Sequence, residues 1–410
     1  MSLLGSLFGT PNKEQFARIV LDALQALGDT GSYDAGAFKI TVSGEETRVL
    51  FLANGYHDYC AAPGDKRRGV VQRLADLLRI PALAGVSWDE ARPSILPVVR
   101  ERSYHECARL QLHVLGLEGA ADVPPTRAVA PHLLASIGRD TPEQTHHVAE
   151  RDLKAWGVSF DEALRVAVAN LRQRGARELT LVQPGVYRSP WHDTYVASRL
   201  ALIDLFSKLE IQGDPVALTP TRSLLLVTGA GDDERLCQVA AMAEAALVHD
   251  RPTTGIAVRL VDGRWAPFLP PEGHPAHWPL KRVALTSLAS EYQAQKALLD
   301  QLYAAAGKEV LVASFQTRVH PDGPCASFGT WTSAAREVLL PWCDDIVFVR
   351  SEKGKEPSVV ASAPWRQVQQ IVGSLIQPTD MYPTRFRVHG FPTEGQLHAI
   401  GMHNALLVQP

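Results

Sequence analysis

The stretch "ERDLKAWGVSFDEALRVAVANL", residues 150–171, decides how this chain is read. Ser159 followed three residues later by Glu162 has the form of a capping box, in which two side chains satisfy amides left open at a helix start. Val158, just before the cap, is placed to staple onto the first turn. Phe160, Leu164, Ala167, Val168 and Leu171 recur at the 3.6-residue spacing of one helix face. Gly157 gives the backbone freedom to turn between the Asp152–Trp156 segment and the cap. Trp156 and Asn170 are the two residues this account leaves over.

Working outward, strand-like runs flank the helix. "HLLASIGRD" (132–140) and "THHVAERDL" (145–153) precede it, and "RELTLVQPG" (177–185) follows. "YVASRLALIDLFSKL" (195–209) reads as a further helix. "DPVALTPTRSLLLVTG" (214–229) reads as two short strands around Pro220. "DDERLCQVAAMAEAALV" (232–248) has a helical stripe, and "GIAVRLVDGRWAPF" (255–268) is a hairpin on its Asp-Gly turn. Upstream, a helix over 12–27, a hairpin over 38–56 and a helix over 67–78 follow the same grammar. Downstream come a helix over 290–307 ending at a glycine, strands over 308–319 and 344–351, a helix over 365–376 and a strand over 384–391. The expected fold class is α+β, built as several helix-plus-antiparallel-sheet modules in two or three domains. "GLEGAADVPPTRA" (116–128) and "APFLPPEGHPAHWPLKR" (266–282) read as linkers, the second because five prolines disfavour helix and central strand. They divide the chain into 1–120, 121–270 and 283–410, the middle part carrying the 150–171 motif.

Composition narrows the function classes. The chain has 410 residues, of which 46% are hydrophobic and 21% charged, enough to bury a core without staples. Its net charge of −3 gives no global pull toward nucleic acid or an anionic membrane. "DKRRGVVQR" (65–73) reads as the wet face of a helix rather than a phosphate-tracking patch. Five scattered cysteines without a C-x-x-C pair argue against a disulfide framework and a structural zinc site. No run reaches the roughly 18 apolar residues of a membrane helix, and the N-terminal apolar run lacks the flanks of a leader peptide. The expectation is a bacterial-type cytoplasmic protein.

The pattern "RDLKAWGVSFDEALRVAVANL" after "GRDTPEQTHHV" resembles the YtpQ-type family of bacterial proteins. The matching residues are Asp140, Asp152, Leu153, Trp156, Gly157, Ser159, Leu164, Ala167, Asn170 and Leu171. A P-x-R-x-x-L element has its counterpart in Pro220, Arg222 and Leu225, and Ala197–Ser198 matches an x-A-S element. The resemblance spans about residues 10–265, which leaves the last part of the chain as an addition. It implies a fold and carries over no reaction or cofactor.

"NGYHDYC" (54–60) places His57 and Cys60 three apart on an expected turn, where they need not face each other. His146 and His147 are adjacent on an expected strand, so they point to opposite faces and do not share a metal. "VTGAGDDERL" (227–236) has two glycines before a helix but lacks the Lys-Ser/Thr of a phosphate loop, and its two aspartates suit the helix dipole instead. "SPWHDTY" (189–195) sets Trp191, His192 and Asp193 in an expected loop, where a Trp can anchor a partner. "HPDGPCASFGTWTSAAREVLLPWCDD" (320–345) reads as one long loop carrying His320, Phe328, Trp331 and Trp342. No catalytic residue, metal ligand or cofactor is assigned. The expected function is a non-catalytic, cytoplasmic protein-binding factor of adaptor, chaperone-like or immunity type, with Trp191, His192, Asp193, His320, Phe328 and Trp331 as binding residues. Its expected partner is another protein, neither nucleic acid nor membrane, and a homo-oligomer stays open. The alternative is a motif-poor hydrolase using Cys325 or Cys60 with a nearby histidine.

Overall fold

A computed structural model describes residues 11–36, 38–42, 48–77, 85–114, 116, 123–141, 145–175, 177–191, 193–249, 252–320 and 323–402. The fold is α+β, with eleven α-helices and five sheets among these residues. The chain forms two compact units. One comprises Met1–Ser87 with Arg139–His146, and the other comprises Trp88–Gly138 with His147–Pro410.

The smaller unit packs helices Lys13–Ala26, Ala53–Ala61 and Arg67–Leu77 over a three-stranded antiparallel sheet of Gly31–Asp34, Lys39–Val42 and Arg48–Phe51. Asn12 caps the first helix and accepts the Gln15 N–H at 2.9 Å, while Gln15 returns a bond to Asn12. Phe16, Val20, Leu24, Ile40, Leu52, Val70 and Leu74 fill the core. The "NGYHDYC" segment lies in a helix rather than a turn. Its glycine serves close approach: a Cβ on Gly55 would lie 2.5 Å from the Leu74 Cδ1 of the facing helix.

In the larger unit the opening motif folds as two helices, Glu150–Trp156 and Phe160–Arg174. The expected strand over 145–153 therefore stops at His147. Asp152 accepts the Ala149 N–H at 2.8 Å and so caps the first helix. Gly157 closes that helix at φ 67°, a left-handed conformation that favours glycine. Ser159 caps the second helix through the Glu162 N–H. Both leftover residues have structural contacts. Trp156 packs 5.7 Å from Trp88, and Asn170 donates to the carbonyls of Arg92 and Ile95 at 2.7 and 2.9 Å. These bonds fix the second helix to strand Ile95–Glu101, where Leu171 meets Leu96 and Val98.

A six-stranded antiparallel sheet follows, in the order 264–267, 258–261, 215–221, 224–229, 186–188, 180–183. Helix Asp233–His249 and the first turns of helix His277–Ala305 cover it through Leu236, Val239, Ala243, Leu280 and Val283. Beyond lie two four-stranded sheets, mostly antiparallel, with parallel pairing of 311–312 to 337–341 and of 325–332 to 345–350. Their core holds Trp331, Phe348, Trp365 and Val368. The proline-rich stretch 266–282 runs into the 277–305 helix. Pro279 sits in the first turn, where its missing N–H would have had no partner.

That 29-residue helix serves both cores. Its first half packs on the six-stranded sheet, and Tyr292, Gln295 and Leu299 face the C-terminal strands. Fully buried Arg385 locks the second contact. It donates to Gln295 Oε1 at 2.6 Å and to the carbonyls of Ala313 and Leu339 at 2.8 and 3.1 Å.

Candidate functional site

Trp191 is buried and Asp193 is half-buried. Asp193 accepts both Arg199 guanidinium nitrogens at 2.8 Å, and the Arg199 guanidinium lies 4.1 Å from the centre of the Trp191 ring. Arg199 is 1% exposed while the Asp193 side chain keeps 29% exposure, so the three side chains form a half-buried ion pair capped by an indole. Burial pushes the Asp193 carboxyl up, but Arg199, the Tyr195 N–H and Arg174 together hold it below its ordinary value. The expected loop anchor is thus a structural lock. His192 lies outside the described residues.

The expected loop over 320–345 contains two strands, Cys325–Thr332 and Glu337–Pro341. Ser327, Gly329 and Trp331 point inward. The first two are small because Asp344 and Pro341 press on them: Ser327 bonds Asp344, and a Cβ on Gly329 would lie 3.1 Å from Pro341. Trp331 is fully buried, with Nε1 donating to the Gly390 carbonyl at 2.9 Å, so it cannot meet a partner as an exposed loop residue would. Phe328 is half-buried in the same strand, and His320 is exposed just past strand Phe315–Val319. The structure does not gather these residues into one site.

Trp342 behaves differently. Trp342 is 54% exposed, while the turn that carries it is held by several hydrogen bonds. The Trp342 N–H donates to the Tyr292 hydroxyl and the Thr384 carbonyl, at 3.1 and 3.0 Å. The Tyr292 hydroxyl donates in turn to the Thr384 carbonyl at 2.7 Å, and the Tyr292 ring stacks on Phe315 at 4.7 Å. Two residues on, Asp344 accepts from Ser327 N–H and Oγ at 2.7 and 2.8 Å and pairs with Lys281 at 3.0 Å. Neighbouring Pro341 and Cys343 face the core. The result is a rigid turn that presents one indole to solvent.

Burial disfavours the thiolate at Cys107, Cys325 and Cys343. Burial pushes Cys325 up, and its Sγ lies 3.9 Å from the Trp278 carbonyl. Burial pushes Cys107 to about 12, with Glu291, Glu101 and Glu106 adding to the effect. The loop before helix Asp233–His249 is filled by backbone: a Cβ on Gly229 would overlap the Gln212 carbonyl, and the Gly231 N–H already bonds that oxygen at 2.9 Å. Among the described residues, no three His, Cys, Asp or Glu side chains converge as metal ligands do.

One feature escaped the sequence. Glu101, at the end of its strand, and Glu291, on the 277–305 helix, each keep one carboxyl oxygen sealed from solvent and unbonded. Burial pushes Glu291 up to about 8, opposed by a Ser103 hydrogen bond and reinforced by Glu101. Burial also raises Glu101, against its own backbone N–H, Arg222 and Arg100. His105, one turn into helix Arg102–Val114, is driven down to about 4 by burial, with His147 and Arg100 adding to it. The signal in the sequence is "RERSYHE" (100–106), where charges follow the apolar run "ILPVV" without a loop between them.

No protein-family model, curated protein or solved structure matches the chain. Among the described residues, no helix is long and apolar enough to cross a membrane.

Proposed function

We propose that this chain is a non-catalytic factor that binds another protein, with Trp342 as its anchor. The observation that carries the reading is an exposed indole on a turn already fixed by Tyr292, Thr384, Ser327 and Lys281. Tryptophan is the side chain most enriched at binding hot spots, because it buries much apolar area with few torsions to freeze. A pre-fixed backbone lowers the ordering cost of binding further. The proposal covers adaptor, chaperone-like and immunity roles in a bacterial cytoplasm, a compartment that suits five free thiols. It keeps kinship with the YtpQ-type family over residues 10–265 as part of the same reading.

The test is capture of a partner by the full-length protein and by Trp342→Ala. The substitution removes exposed surface, so the unfolding midpoint stays within about 0.5 kcal/mol of wild type. Affinity for the captured partner drops by about 2 kcal/mol or more, roughly 30-fold. If the wild-type chain retains no specific protein, the binding role is wrong. If Trp342→Ala retains the partner equally well, the anchor is wrong.

A further inference from the structure

The smaller unit carries a groove of about 1070 Å³ between helix Lys13–Ala26 and helix Arg67–Leu77. It exceeds the roughly 300–1000 Å³ typical of small-molecule clefts. Its floor is apolar, made by Ile19, Ala23, Leu27, Tyr59 and Val71. Along the first helix and its C-cap, Ile19, Ala23 and Leu27 repeat every four residues, the spacing of a stripe that packs on another helix. Cations stand on both banks, Arg18 on one and Arg67 and Arg68 on the other, and among the described residues no acidic side chain lines the groove. Glu14 and Asp22, each one turn from Arg18 along its helix, are not part of the lining. Arg67 is held in place, with its guanidinium 5.2 Å from the Tyr59 ring centre and Nε donating to the Ala62 carbonyl at 3.2 Å. Arg18 and Arg68 are exposed and pair with no carboxylate among the described residues.

We infer that this groove docks an acidic amphipathic helix from a partner protein. The inference builds on the protein-binding role proposed above but uses a different surface in the other unit. A helix about 10 Å wide lays its apolar stripe on the floor, and its flanking carboxylates reach the arginines on both banks. Two alternative occupants fit less well. Residues 1–10 of this chain, "MSLLGSLFGT", carry no acid to meet three arginines. An anionic bilayer is flat and cannot reach a floor recessed between two helices.

The experiment titrates the full-length protein into a fluorescein-labelled 18-residue peptide, with leucines at i, i+3, i+4 and i+7 spacing and glutamates elsewhere. Saturable binding is expected, at least tenfold tighter than for the same peptide with lysines in place of the glutamates. The double substitution Arg18→Glu and Arg68→Glu weakens binding at least tenfold while the unfolding midpoint is retained. Ala23→Trp, which fills the floor, does the same without changing charge. Absence of saturable binding overturns the inference, as does equal binding of the lysine peptide or of either variant. Binding that emerges only after deletion of residues 1–10 assigns the groove to that segment instead. Tighter association with vesicles containing anionic lipid than with the peptide, lost in Ala23→Trp, assigns it to a membrane. Concentration-dependent dimerisation abolished by Ala23→Trp assigns it to a second copy. Trp342→Ala serves as the control: it leaves peptide binding intact, so failure at the groove and failure of the Trp342 anchor are read separately.

Discussion

Glu291 keeps its proton at neutral pH because burial strips the water that would solvate its anion, and Glu101 adds a like charge nearby. A free carboxyl in the unfolded chain releases its proton near the ordinary 4.5. Between that value and about 8, the folded chain therefore binds more protons than the unfolded one, and stability falls as pH rises through the window. His105 and His132 act in the opposite sense. Burial drives both to about 4, so their contribution to stability grows as pH rises from about 4 to 6.5. Glu291→Gln separates the two effects. At pH 9 the variant should exceed wild type by roughly 3–5 kcal/mol, a gap that closes near pH 4.5. Urea unfolding at the two pH values reads it directly, and an equal gap at both would remove Glu291 as the source. The thiol of Cys325 makes a second prediction at this scale. Raised by burial, it should alkylate with iodoacetamide at least tenfold slower than a free thiol. A faster rate would restore the Cys/His hydrolase as a competing account.

Among the elements, glycines that allow two backbones to touch are the most sensitive positions. A Cβ on Gly229 would overlap the Gln212 carbonyl, and one on Gly255 would overlap the Val283 carbonyl. Backbone cannot rotate away as a side chain can, so either residue changed to alanine should cost about 2–4 kcal/mol in urea unfolding. The same logic separates what sequence periodicity reveals from what it hides. The stripe over 160–174 was legible because Leu164, Ala167 and Leu171 are all buried on one face. The expected helix over 195–209 instead forms two short 3-10 turns, Ala197–Ala201 and Ile203–Phe206. There the Trp265 indole takes the Leu200 carbonyl at 2.8 Å, and the Ser198 hydroxyl takes the Val99 N–H at 3.0 Å. The Leu200 carbonyl is a group that an α-helix would have paired locally, and the Ser198 hydroxyl ties the segment to a strand instead. In 320–345 the alternation was real, but Ser327 and Gly329 occupy inward positions normally filled by large apolar residues, which hid the strand. Of the aromatics in that stretch, Trp331 and Trp342 look alike in sequence. Only the packing of Pro341, Tyr292 and Thr384 turns one inward and the other to solvent.

At the scale of the molecule, helix His277–Ala305 joins two cores of the larger unit, so damage at its middle should reach both. Ala294 is exposed there and packs against neither core. Ala294→Pro would break the helix and cost about 3 kcal/mol or more. Trp265 on one side and Trp331 with Trp365 on the other should then lose their native fluorescence in a single transition. Separate transitions would mean that the helix does not couple them. The division of the chain itself has a consequence for synthesis. The smaller unit is complete only when 139–146 has joined 1–87, yet the 51 intervening residues belong to the larger unit. A ribosome releasing roughly 5–20 residues per second needs about 3–10 s to supply them. Throughout that interval the nascent smaller unit waits for its last segment. A chaperone that shields emerging apolar surface would find its longest opportunity there, before any of the C-terminal two-thirds of the protein exists.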